Sequence, residues 1–143
     1  STTSQDISDK EEYQLTVEEL QREAEIVDFY RDVGEYRIAL EIGRELFINR
    51  LLYDAGQTDD WLCESVRKDI KPTFEVDNEN NTHVNSDVDK LWNRISGARN
   101  KFAHSGFKTD NRPSDENIEK WLTTLCQRIE DDTFWKHPSD DYE

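Results

Sequence analysis

Arg99, Asn100 and His104 are the residues whose types and spacing concentrate chemistry in this chain. A guanidinium is permanently charged and grips phosphate through a planar fork of N–H donors. An imidazole exchanges a proton near neutral pH, and a carboxamide both donates and accepts hydrogen bonds. Arg99 projects onto a helical stripe made by Leu91, Trp92, Ile95 and Phe102, where an arginine needs an anion, a carbonyl or a partner chain because an unpaired buried charge is costly. Its structural reading is a buried ion pair with Glu41 or Glu45 on an earlier helix; its functional reading is a phosphate site at an interface. His104 lies five residues on, about 140° further round an ideal helix. The two side chains meet only if the last turn unwinds near Gly106, or if a second chain completes the site. A histidine near a helix C-terminus is also favoured by the helix dipole, with no function needed.

The charge pattern singles out the same segment. The chain carries a formal net charge of -15, which repels nucleic acid from most of its surface. Between Lys90 and Arg112, however, stand Lys90, Arg94, Arg99, Lys101, Lys108 and Arg112, with Asp110 the only acid. Charge segregated this way focuses an anionic ligand on one strip and discourages adhesion elsewhere. The competing reading is that each base pairs with an acid on a neighbouring helix.

Helical periodicity supplies the elements that position these residues. Thr16 with Glu19 reads as a capping box opening a helix on Leu20, Ala24, Val27, Phe29 and Tyr30. Gly34 breaks it. The strongest amphipathic helix runs from Glu35 to Ala55, with Gly56 placed to stop it. Thr58 or Asp59 is expected to cap a shorter helix through Trp61, Leu62, Val66 and Ile70, ended by Pro72. The Asn- and Asp-rich stretch from Asp77 to Ser86 reads as a surface loop. Ser86 with Asp89 caps the helix that carries the Arg99 segment, closed near Gly106. A last helix spans about Asp115 to Asp131, before an acidic tail whose Phe134 and Trp135 are candidates to dock on the body. The expected organisation is a polar segment over residues 1–12, an all-α antiparallel bundle of four to five helices over 13–133, and a tail over 134–143.

The segment Arg99-Asn100-Lys101-Phe102-Ala103-His104-Ser105-Gly106 resembles the signature of HEPN domains, in which an arginine precedes a histidine with four to six residues between them late in a helical bundle. Gly34-Glu35-Tyr36-Arg37-Ile38-Ala39-Leu40 also resembles the start of an early HEPN helix. Coverage extends from about Thr16 to Asp131, with the eight-residue segment its diagnostic part. The resemblance implies a dimer with two such motifs at its interface, and a metal-independent ribonuclease of the kind found in CRISPR-associated and other defence systems. By that resemblance Arg99, Asn100 and His104 are catalytic: His104 transfers protons, Arg99 holds the scissile phosphate, and Asn100 orients a neighbour or the substrate. Lys101, Arg94, Lys108, Arg112 and Phe107 are the expected contacts to single-stranded RNA. Where HEPN toxins paired with a nucleotidyltransferase carry a tyrosine two positions after the histidine, this chain has Gly106, which points instead to members fused to a sensor domain.

The alternative within the same fold is a HEPN-like module that dimerises or binds RNA without cleaving it. A tetratricopeptide adaptor is disfavoured because no second copy of the Gly34 pattern recurs at 34 residues. His83, His104, His137, Cys63 and Cys126 are scattered, so no metal is expected and no other cofactor either. The two cysteines are expected as reduced, partly buried thiols in a cytoplasmic protein. No apolar run reaches the length of a membrane span, so no membrane partner is expected. A chain that opens on Ser1 and holds no methionine reads either as a trimmed form or as a piece of a longer protein. Trp92 reads as core, and Phe107 as the better candidate for stacking on a base.

Overall fold

A computed structural model describes residues 13–70, 86–104 and 112–136, and these are helical with no strand among them. Helix α1 (Val17–Asp32) starts where the capping box is expected: the Thr16 hydroxyl accepts the Glu19 N–H at 3.1 Å, and Glu18 and Glu19 face the positive end of the helix dipole. Gly34, at φ 81°, takes the left-handed turn into α2 (Tyr36–Asp54). Ser86 Oγ accepts the Asp89 N–H at 3.0 Å to open α4 (Asp87–His104). Ser114 Oγ does the same for Asn117 at the start of α5 (Asp115–Arg128).

Two boundaries differ from the periodicity. The third helix, α3, begins only at residue 64 and is described to residue 70. Trp61 and Leu62 precede it in a turn, because Trp61 is anchored separately: its buried indole N–H donates to the Tyr13 carbonyl, and Arg67 donates to the Trp61 carbonyl at 3.0 Å. Leu62 is exposed. Helix α5 stops at Arg128, three residues short of Asp131, because side chains claim its last carbonyls. Trp135 Nε1 donates to the Arg128 carbonyl at 2.5 Å, and Arg50 Nε to the Ile129 carbonyl at 2.6 Å. Asp131 then caps the short α6 (Asp132–Trp135), accepting the Phe134 N–H at 3.3 Å.

Named contacts fix the topology. Asn49 meets Glu23 across the α1–α2 hairpin, and Glu41 and Phe47 of α2 meet Arg99 and Trp92 of α4 in reverse order. Arg31 and Ala24 of α1 likewise meet Thr123 and Cys126 of α5 in reverse. Tyr36, Gly43 and Arg50 of α2 meet Glu119, Leu122 and Ile129 in the same order. The bundle is therefore up-down-up-down, with α2 and α5 the parallel diagonal pair. Gly43 allows that diagonal to be short, since a Cβ there would stand 2.9 Å from Leu122 Cδ2.

The core is aromatic at its centre. Phe47 packs against Trp92 at 5.2 Å between ring centroids and against Trp135 at 4.9 Å. Trp135 is 1% exposed and Phe134 is half-buried. The folded body thus reaches two residues past 133, into the segment assigned to the tail. Phe29, expected on the apolar face of α1, is exposed. No helix among the described residues is long and apolar enough to cross a membrane.

Candidate functional site on helix α4

Helix α4 holds its apolar residues Val88, Leu91, Trp92, Ile95 and Ala98 in the core, which fixes its rotation and so the direction of every charged side chain it carries. Arg99 faces α2. Its Nε donates to Glu41 Oε1 at 2.8 Å and its Nη1 to Asn100 Oδ1 at 3.2 Å. Glu41, not Glu45, is the partner, and the pair is more open than the stripe implies: the Arg99 side chain is 31% exposed and that of Glu41 48%. Cover thins towards this end of α4, where Phe102 is half-buried and Ala103 is exposed. The two contacts engage two of the five N–H groups of the guanidinium.

Asn100 and Lys101 are exposed beside it. His104 is the last described residue of α4. Its side chain lies outside the described residues, as do Phe107 and Lys108. Arg112 stands over the Phe102 ring at 4.8 Å from its centroid, and Arg94 over Trp121 of α5 at 6.0 Å. Trp92 is core and unavailable to a base. The basic segment is one run in sequence but two surfaces in space: Arg99 turns to α2, whereas Lys90, Arg94 and Lys101, spaced i, i+4 and i+11, share a stripe on another side of the helix.

Glu45 is engaged elsewhere, in a polar network that the sequence did not reveal. Arg67 donates to Glu45 Oε1 at 2.6 Å and to Asn49 Oδ1 at 2.6 Å, and Asn49 Nδ2 donates to Glu23 Oε1 at 2.7 Å. Burial, reinforced by the hydrogen-bonded Glu19, pushes the Glu23 carboxyl up to about 8. Glu19 itself is held below the usual range, chiefly by the guanidinium of Arg22. This network joins α1, α2 and α3, and its geometry reads as an anchor for the segment around Trp61.

The thiols are both free, but Cys63 is exposed rather than partly buried. Cys126 is half-buried, and burial raises its thiol well above the ordinary value. Among the described residues no three His, Cys, Asp or Glu side chains stand together as a metal site. Comparison of the chain with protein-family models, with curated proteins and with solved structures gives no match.

Proposed function

We propose that this chain is a metal-independent RNA endonuclease of HEPN type, acting as a homodimer in which each copy's Arg99-to-His104 segment contributes to a composite site. The observation that carries this reading is the environment of Arg99. Glu41 and Asn100 orient its guanidinium on a half-open surface, on the same helix that carries His104. A guanidinium held but not enclosed suits a phosphodiester that arrives from solvent. In the reaction, the RNA 2′-oxygen bonds to phosphorus as the bond from phosphorus to the 5′-oxygen breaks. His104 takes the 2′-hydroxyl proton or supplies the one that the leaving 5′-oxygen requires. Arg99 stabilises the charge that gathers on the phosphate oxygens. The ends are a 2′,3′-cyclic phosphate, or the 3′-phosphate from its hydrolysis, and a 5′-hydroxyl. Positions 99 and 104 point about 140° apart on a regular helix, which is why a second copy is part of the proposal. A defence role and a fused sensor domain are proposed on the resemblance alone, and a cytoplasmic location on the two free cysteines.

The Arg99–Glu41 ion pair also supports a second reading. It gives Arg99 a structural role, as in a non-catalytic HEPN-like module that dimerises or binds RNA. The test is cleavage of a labelled single-stranded RNA in excess EDTA, with an all-deoxy control and analysis of product ends. RNA-only cleavage, lost by about 10²-fold or more in both His104→Ala and Arg99→Ala, is the expected result. A folded dimer that leaves RNA intact would move the reading to the second one, or to an enzyme that acts only with its sensor domain.

A further inference from the structure

The groove between α4 and α5 gathers cations from both helices. Lys90 and Arg94 line it from α4, Lys120 and Arg128 from α5, together with Trp121 and with Phe134 of α6. It encloses about 170 Å³ and shares Asp87, Arg128 and Phe134 with a wider hollow of about 470 Å³ at its end. Among the described residues Asp87 is the one carboxylate that lines it, in a chain of net charge -15. Arg31, Arg50, Arg67 and Arg99 are each ion-paired. Among the described residues, Lys90, Arg94 and Lys120 pair with no carboxylate within 4.0 Å. Arg128 is tied to Asp131 at 2.8 Å, and its guanidinium lies over Phe134 at 5.6 Å. Three cations without an ion pair have thus converged on one groove, on an acidic protein with many acids to offer, beside a partly exposed indole.

We propose that this α4–α5 groove is the track of a single RNA strand, with phosphates over Lys90, Arg94 and Lys120 and a base against Trp121. It rests on the reading that the chain acts on RNA, and it adds a surface from α5 that is separate from the Arg99 site. A row of cations at helical spacing beside an aromatic face is the arrangement that holds unpaired strands, because the charge follows the backbone and the ring accepts any base. Arg94 stands about 140° round α4 from Arg99, so the groove holds the strand to one side of the reacting phosphate.

The test is anisotropy of a labelled 2′-O-methyl oligouridine, which lacks the attacking hydroxyl, between about 50 and 200 mM salt. The parent chain is compared with the Arg94→Gln/Lys120→Gln double variant and with Lys68→Gln, an exposed change on α3. Three cations imply a slope of log K on log salt of about -2, falling to about -0.7 in the double variant, with at least tenfold weaker binding at the lowest salt; Lys68→Gln should match the parent. Unchanged affinity in a folded double variant overturns the groove, and leaves the ribonuclease standing if ordinary RNA is still cut. Groove-dependent binding without cleavage of ordinary RNA upholds the groove and removes the ribonuclease. Displacement by inorganic phosphate at equal phosphate concentration reduces the groove to a simple anion site and overturns the strand.

Discussion

The two charged faces of α4 are built on opposite terms. On the α2 side, Arg99 has found an acid: Glu41 meets its Nε at 2.8 Å and Asn100 its Nη1 at 3.2 Å. On the α5 side, Arg94 has found a ring instead, lying over Trp121 with no carboxylate within ion-pair distance among the described residues. One face is neutralised and oriented; the other keeps its positive field. A helix turns each residue by about 100°, so a run of bases in sequence becomes divided labour in space, and the apolar stripe decides which base faces which neighbour.

That comparison can be broken from the inside. Trp92 is the largest side chain that fixes the rotation of α4, and Trp92→Ala is expected to cost about 3–5 kcal/mol in denaturant unfolding. Both faces should then lose definition together. If only one does, α4 is held by something other than its core stripe.

A pH series gives a smaller effect, remote from both faces. Glu23 keeps its proton in the folded state to about pH 8, whereas unfolding returns it to the ordinary carboxyl value of 4.5. The folded state therefore binds the extra proton between these values. Its stabilising contribution is complete below pH 4.5 and is lost as pH rises through 8. Because the carboxyl keeps some contact with water, the loss between pH 5 and 9 should be about 1–2 kcal/mol. Glu23→Gln should flatten that slope in thermal melts. The lowered carboxyl of Glu19 acts the other way, adding stability above its unfolded value that is lost only as acid protonates it.

Gly43→Ala acts on the diagonal that seats α5 against α2. The new methyl would press on Leu122 at 2.9 Å, at a cost of about 1–3 kcal/mol against a helix-propensity gain of about 1 kcal/mol. A net loss near 1 kcal/mol is expected, with the α4–α5 groove disturbed more than the Arg99–Glu41 pair.

The smallest effects sharpen the comparison most. A double-mutant cycle on Arg99 and Glu41 should return a coupling of about 0.5–1 kcal/mol that fades with salt. The cycle on Arg94 and Trp121 should return about 0.5 kcal/mol. Comparable salt sensitivity in both would erase the distinction between an ion-paired face and an open one.

Much of the fold was legible because local chemistry and global packing agree. The Thr16 cap, the Ser86 cap, the Gly34 turn and the apolar stripes of α2 and α5 sit where the pattern places them, as do those of α1 and α4 apart from the exposed Phe29 and Ala103. Periodicity failed where tertiary contacts took over a terminus. The helix expected from Thr58 or Asp59 begins only at residue 64, because the indole of Trp61 bonds back to Tyr13, a contact across 48 residues that no window along the chain can register. In the site, Glu41 was one of two partners named for Arg99, since one turn of α2 separates Glu41 from Glu45. Arg67 decides between them by taking Glu45. Lys120 and Arg128 were not legible as part of a basic surface, because on α5 they stand among acids in sequence and meet Arg94 only once the helices pack.

Arg50 has a consequence for the order in which the bundle assembles. It is 1% exposed, and its bonds to the Ile129 carbonyl and to Asp132 reach across 79 and 82 residues. The α1–α2 hairpin needs only the turn at Gly34, whereas this clamp requires most of the chain to be in place, and the entropy of closing so long a loop falls on it. Contacts of that kind form late. Loosening the clamp, as in Arg50→Met, is therefore expected to quicken unfolding while leaving the folding rate nearly unchanged. The clamp sets how long the native bundle lasts more than how fast it is reached.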